Sequence, residues 1–149
     1  MRIVLTGCDG FIGRNIHSEL LKTKDISSVV CIEKDYMNHN DWESSLVKVV
    51  QDSDVILHVG AISDTMLQDP NKMMKYNFEF SRVLFNLAEF YGKKVVYSSS
   101  AANKGEDGKT PSNLYGWSKY VAEKYGVSKV SKFVGLRYFN VYGPGEQDK

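Results

Sequence analysis

The sequence predicts an α/β fold, a doubly wound parallel sheet, and three observations point to it. Five short runs rich in Val and Ile punctuate the chain; their length and composition suit strands covered on both faces of a parallel sheet. Longer stretches with helical spacing of apolar residues separate these runs, and such alternation selects parallel strands joined by helical crossovers. The first run leads straight into TGCDGFIG, residues 6–13, a glycine-rich turn at the place where such folds receive ligands.

Each element follows in order. Ile3 to Thr6 is the first strand. Ile12, Ile16 and Leu20 then recur at i, i+4 and i+8, which makes a helix from about Phe11 to Leu21. Val29 to Ile32 is the second strand, closed by Glu33. Asp41 stands as the N-cap of a second helix with Trp42, Leu46 and Val49 on one side. Only about seven residues part Glu33 from Asp41, too few for the helix and third strand that complete a mononucleotide-binding half. The sheet is therefore expected to be trimmed at that strand-3 edge, with residues 34–40 a loop or one very short strand. Val55 to Val59 is the next strand. A long helix over Asn71 to Tyr91 turns Met73, Phe80, Leu84 and Leu87 inward. Val95 to Ser98, a helix over roughly Leu114 to Tyr125, and a last strand at Phe133 to Leu136 complete the pattern. No repeat, low-complexity segment or linker intervenes, so residues 1–149 are expected to form one domain.

Composition narrows the function classes. The 149 residues are 42% hydrophobic and 25% charged, with a formal net charge of +1, the balance of a soluble globular protein. Lys and Arg are scattered among Asp and Glu, which leaves no basic footprint for nucleic acid or an anionic membrane. No stretch nears the ~20 apolar residues of a membrane helix, and the strand-like start argues against a signal peptide. A cytoplasmic location is expected. Cys8 and Cys31 form no C-x-x-C pair; they read as two reduced thiols on or near neighbouring strands. With three histidines far apart in sequence, no metal site is visible.

The chemistry-bearing motifs are four. Gly7, Gly10 and Gly13 are spaced by three, not as G-x-G-x-x-G. The first permits a tight turn, the second lets backbone N–H groups approach a pyrophosphate, and the third lets the helix pack closely on the strand. The helix start then offers free N–H groups and a positive dipole end to the phosphates; a purely structural turn uses glycines too. Glu33 lies about 20 residues beyond, where an acid takes ribose hydroxyls, while Lys34 beside it favours a 2′-phosphate. NAD and NADP both stay open, with a slight lean to NAD. Tyr115 and Lys119, in YGWSK, stand four apart on one helix face. A phenol near its ordinary pKa of ~10 is a poor base; a nearby ammonium and a positively charged nicotinamide lower it by roughly one to three units, which suits a proton shuttle for a sugar hydroxyl. An i, i+4 pair is more often a plain surface contact. Ser98, Ser99 and Ser100 end the fourth strand, where one hydroxyl can hydrogen-bond the same substrate oxygen.

The stretches TGCDGFIG, HVGAIS at 58–63, VVYSSSAA at 95–102, YGWSK at 115–119 and LRYFNVYGPGE at 136–146 together resemble the extended short-chain dehydrogenase/reductase superfamily, the NAD(P)-dependent nucleotide-sugar epimerases, dehydratases and reductases. Within it GAIS, the run MMKYNFEFS at 73–81, YSSSAA and GLRYFNVYGP are similar to the ADP-glycero-manno-heptose 6-epimerases. The resemblance implies a Rossmann domain with Ser100, Tyr115 and Lys119 as the catalytic set. It implies that Gly7, Gly10, Phe11, Ile12 and Gly13 hold the pyrophosphate, that Glu33 takes the ribose, and that Ala61 and Ser63 flank the cofactor. Asn77 matches an asparagine behind the nicotinamide, Asn140 a substrate contact, and Lys149 a second, opposite-face acid/base.

The implied reaction is transient oxidation to a keto sugar, in which Tyr115 takes a hydroxyl proton, followed by return of hydride to the other face. A reductase of the same superfamily is the second enzyme reading; a dehydratase is disfavoured because Ala101 and Ala102 stand where an acidic pair is usual. Two departures are plain. Asn103-Lys104-Gly105 replaces the usual x-Tyr-Gly, and the C-terminal domain that forms most of the sugar-nucleotide pocket is expected to be missing. A nucleotide-binding module without turnover is thus a third reading. The uncovered last strand and the loop at 138–145, with Tyr138, Phe139 and Tyr142, are expected to expose apolar surface and favour self-association.

Overall fold

The computed structural model describes residues 1–105 and 107–146. Five strands form one parallel sheet in the order β2-β1-β3-β4-β5: β1 (Arg2–Thr6), β2 (Ser28–Ile32), β3 (Val55–His58), β4 (Lys94–Ser100) and β5 (Phe133–Tyr138). The helices are α1 (Phe11–Lys22), α2 (Trp42–Gln51), α3 (Pro70–Met74), α4 (Phe80–Phe90) and α5 (Leu114–Lys129). The expected α/β fold is present, and all five apolar runs are strands.

The topology sets the layers. From β1 the chain steps one way to β2 and afterwards only the other way. Right-handed crossovers therefore put α1 on one face and α2, α4 and α5 on the opposite face. The core lies on the three-helix face, where Leu46, Val50, Leu84, Phe85 and Ala88 pack on Ile56, Val95 and Tyr97. The other face carries α1 alone, so the strands are not all covered on both sides as their composition suggested, while the exposure expected at the last strand is present. At β5, Val134 and Leu136 are 48% and 40% exposed. β2, the opposite edge, is largely exposed as well.

The trimmed edge is real but takes another form. Residues Lys34–Asn38 are a 3-10 turn, not a loop or strand, and Met37 plugs it into the core. A groove of about 340 Å³ between α2 and β1–β2, lined by Ile3, Val30 and Val49 among others, remains beside it. Asp41 does occupy the N-cap of α2, but its side chain makes no capping hydrogen bond. The helix expected over 71–91 is interrupted: α3 and α4 are joined by a π-helical turn, Lys75–Glu79. Asp69 caps α3 by accepting from the Lys72 N–H at 2.9 Å. The final helix runs four residues past its expected end. Ile12, Ile16 and Leu20 are only half-buried, because nothing but the loop after β5 packs beside α1.

Cys8 and Cys31 are joined by a disulfide, with Cα atoms 5.9 Å apart. This corrects the expectation of two reduced thiols. Register explains it: Leu5 pairs with Cys31 on adjacent strands, and the turn after β1 brings Cys8 back over β2. Among the described residues no helix is long and apolar enough to cross a membrane.

Candidate active site

In a doubly wound sheet the ligand crevice opens at the carboxyl ends of the strands, where the strand order reverses. Here that point lies between β1 and β3, and backbone meets backbone there. A Cβ on Gly13 would stand 1.8 Å from the Gly7 carbonyl oxygen, and one on Gly7 would stand 2.6 Å from Gly60 Cα. Gly7 has φ +74°, which favours glycine. The contact draws the start of α1 against the β1 turn, and the N–H groups of Ile12 and Gly13, in the first turn of that helix, have no partner among the described residues. Such a cradle, with free N–H groups at a helix start, fits a pyrophosphate.

Glu33 closes β2 beside this turn. Its carboxylate accepts the Asp9 N–H at 2.9 Å and also faces the Cys8 N–H. Burial pushes its pKa up against those hydrogen bonds. Thus the residue expected at the ribose also braces the glycine turn. Lys34 is exposed at the start of the 3-10 turn, and Ala61 and Ser63 are exposed on the loop after β3.

Ser100 and Tyr115 meet through a side-chain hydrogen bond, and Lys119 follows Tyr115 by four residues on α5. Ser100 ends β4 and its Oγ accepts the Ala102 N–H at 3.2 Å. Asn113 caps α5 by accepting the Gly116 N–H at 2.8 Å, which fixes where Tyr115 begins. A Cβ on Gly116 would lie 2.5 Å from the Ala102 carbonyl oxygen, so glycine here lets α5 close on the 3-10 turn Ala101–Lys104. Burial raises the Tyr115 pKa, and a hydrogen bond from Ser100 works against that rise. The lowering expected from the lysine is therefore not present in the free chain. Lys119 is a buried residue, and desolvation brings its pKa down to about 7.

Asn77 lies on the π-helical turn and is buried. Its Oδ1 accepts the Ile62 N–H at 2.7 Å, and its Nδ2 donates to the Ile62 carbonyl and to Ser118 Oγ, both at 2.9 Å. The side chain therefore clamps the β3 loop to α5 and has no free group to offer a ligand. Asn140 is exposed on the loop after β5. That loop folds back on α1, where Arg14 donates to the Gly145 carbonyl at 2.6 Å. A groove of about 380 Å³ lies between them, with Phe11, Ile12, Tyr138 and Tyr142 in its walls. Lys149 lies outside the described residues.

Two polar networks escaped the sequence reading. Thr6 Oγ1 accepts the N–H groups of Val59 and Gly60 at 3.1 and 2.9 Å, so its hydroxyl donates to His58 Nδ1 at 2.8 Å. His58 Nε2–H then donates to Ser81 Oγ at 2.7 Å, and Ser81 donates to the Asn77 carbonyl at 2.7 Å. Full burial holds His58 neutral, with its pKa down to about 3. In the second network Glu123 accepts from Ser99 Oγ, from Asn103 Nδ2 at 2.9 Å and from Arg137 Nε at 3.1 Å. Burial alone would raise its pKa; the hydrogen bonds from Arg137 and Ser99 hold it below the ordinary value. Asn103, a departure from the family pattern, is thus a structural ligand of Glu123. The available signal was a polar residue at an inward position: His58 inside VILHVG, and Glu123 on the apolar side of α5.

Comparison with known proteins agrees with this geometry. The chain is 31% identical to an ADP-L-glycero-D-manno-heptose-6-epimerase of Cupriavidus pinatubonensis, across 100% of this chain and 54% of that one. It is 33% identical to the enzyme of the same name from Alkalilimnicola ehrlichii, across 99% and 55%. The crystal structure of the Helicobacter pylori ADP-L-glycero-D-manno-heptose-6-epimerase superposes with a TM-score of 0.84 at 28% identity, covering 98% of this chain and 57% of the other. The chain spans about half the length of these relatives. A family model described as NAD dependent epimerase/dehydratase matches residues 3–149, and the chain belongs to that family.

Proposed function

We propose that the chain carries the cofactor-binding and proton-transfer half of a nucleotide-sugar epimerase, with an ADP-heptose as substrate. The observation that carries this is the hydrogen bond between Ser100 and Tyr115, with the buried Lys119 four residues on along the same helix, in a sheet whose first turn is the glycine cradle of Gly7, Gly13 and Gly60. The cradle and the N–H groups of Ile12 and Gly13 hold the pyrophosphate of NAD or NADP; Glu33 reaches the ribose, with Lys34 beside it for a 2′-phosphate. The bound dinucleotide supplies the acceptor, and later the donor, of hydride. Tyr115 takes the proton from the sugar hydroxyl on its phenol oxygen, Ser100 hydrogen-bonds the same oxygen, and a charged Lys119 favours the phenolate. Asn140 contacts the sugar, and Lys149 serves as the opposite-face acid/base.

The test is incubation of the chain with NAD+ or NADP+ and ADP-heptose, with the epimers resolved by NMR and cofactor absorbance followed at the same time. Epimer formation without net cofactor reduction, abolished by Tyr115→Phe, is the expected result. Stoichiometric consumption of NAD(P)H would mean a reductase, and undiminished epimerisation by Tyr115→Phe would overturn the assignment. A second reading, a nucleotide-binding module without turnover, draws on the bare face over β5, where Val134 and Leu136 are exposed, together with Phe139 and Tyr142 at 83% and 85%. The same surface supports self-association, which sedimentation velocity tests; a monodisperse monomer refutes it.

A further inference from the structure

Lys119 is an unusual lysine. The residue is buried, and among the described residues its ammonium makes no ion pair and no hydrogen bond. The one group set against it is an aromatic face: Lys119 Nζ lies 4.7 Å from the ring centroid of Tyr97. Tyr97, three residues before Ser100 on β4, is itself immobilised. Phe85 meets its ring edge-on at 5.6 Å, His58 lies at 5.3 Å and Phe133 at 6.1 Å. Its hydroxyl is buried and has no partner, so hydrogen bonding does not account for the residue; the ring does.

We propose that Tyr97 is a positioning residue of the site, whose ring face seats the Lys119 ammonium and keeps it charged beneath Tyr115. A cation over an aromatic face is attracted by the ring quadrupole, most strongly where water is excluded. The ammonium faces the Tyr97 ring on β4 and His58 on β3, and Tyr115 and Glu123 on α5 face Tyr97. His58 is neutral and Glu123 is engaged by Arg137. Tyr97 itself stays un-ionised, since burial raises its pKa first, with Tyr115 and Glu123 adding to the rise. The ring therefore opposes the desolvation that draws Lys119 down to about 7, and it does so across neutral pH. Its catalytic meaning rests on the proposed function; the charge of Lys119 does not, and can be read directly.

The experiment follows the 13Cε resonance of Lys119 with pH in the lysine-labelled chain, assigned by Lys119→Arg. Tyr97→Phe keeps the ring and drops the unpartnered hydroxyl, and the midpoint is expected to stay where it is. Replacement of residue 97 by phenylalanines with one to several ring fluorines keeps the shape while draining the quadrupole. The midpoint is then expected to fall stepwise, by about half to one and a half units in all. Tyr97→Leu, where it folds, gives the same endpoint. A midpoint that ignores fluorination, or that falls as far in Tyr97→Phe as in the fluorinated series, overturns the proposal. Epimerisation is assayed on the same variants: its absence in the parent chain would remove the catalytic reading while the titration still decides the role of the ring.

Discussion

Whether TGCDGFIG is a cofactor floor or only a tight turn is decided by comparing two alanines. At Gly13 the added methyl would lie 1.8 Å from the Gly7 carbonyl oxygen, 2.7 Å from its carbonyl carbon and 3.1 Å from Cys8 Cα. Relief requires about 1.5 Å of backbone movement to reach van der Waals contact. Gly7 cannot yield freely, because it already touches Gly60. Overpacking of this kind costs about 1–3 kcal/mol, and a 1 Å displacement of a binding group weakens it on the order of a hundredfold. Gly10 differs: its φ is −71°, and a Cβ there meets only the Gly7 oxygen, at 3.4 Å. Gly10→Ala should therefore lose at most about 1 kcal/mol, through a weaker N-cap, yet block the close approach of a pyrophosphate. Urea denaturation and NAD+ and NADP+ titrations on both variants make the comparison. Gly13→Ala is expected to lose stability and affinity together, Gly10→Ala to lose affinity tenfold or more while staying folded. A Gly10→Ala chain that binds the dinucleotide as tightly as the parent would refute the reasoning.

Three further outcomes follow from the same contacts. The His58 pKa is depressed in the folded chain, so its contribution is complete above about pH 6.5 and is lost as pH falls toward 3; at pH 5 unfolding should be easier by about 2 kcal/mol. Urea melts of the parent and His58→Gln across pH 4–7 test this, and parallel slopes would rule it out. Arg137→Ala leaves the Glu123 carboxylate short of its charged partner, at a cost of about 2 kcal/mol, with the loss shrinking in acid as the carboxylate is protonated; a loss that does not change between neutral and acid pH would contradict the ion pair. Reducing Cys8–Cys31 opens a loop with a sequence separation of 23, a loss of about 3 kcal/mol and about 10 °C in Tm; a Cys31→Ser chain should melt at the reduced value with or without dithiothreitol.

What the sequence disclosed, it disclosed through periodicity and glycine. Strands such as VILH and KVVYSSS are short and β-branched, and the turns that place Gly7 and Ser100 follow from strand ends, so the fold and the places of Gly7 and Ser100 in it were legible. Legibility failed where a residue's partner is distant along the chain. Cys8 and Cys31 are neighbours only after β1 and β2 pair in register. The Lys75–Glu79 turn keeps the apolar spacing of a helix well enough to hide its extra residue per turn. Asn77 matched a cofactor position by sequence, but its amide closes on Ile62 and Ser118, contacts that exist only once α5 has packed. The exposure expected at the last strand is present at Val134 and Leu136, yet the strand's own residues do not carry it, since the residue pattern of a strand is the same whether or not a layer lies above it.

The buried polar chain then acquires a purpose that packing alone does not give it. It starts at the N–H groups of Val59 and Gly60, passes through Thr6, His58 and Ser81, and reaches the carbonyl of Asn77. The side chain of Asn77 continues it to Ser118, whose hydroxyl donates to the Tyr115 carbonyl at 2.7 Å. The path links the ends of β1 and β3, the π-helical turn with the start of α4, and α5. An unmade bond in such a place costs roughly 1–3 kcal/mol, so the path penalises any drift between the strand ends that cradle a cofactor and the helix that bears Tyr115. The π-helical turn is what allows it: it carries the Asn77 side chain into the loop while Ser81, one turn on, reaches back to the Asn77 carbonyl. A uniform α-helix over residues 71–91 would place one of these groups a residue out of phase, and the two halves of the site would lose their common reference.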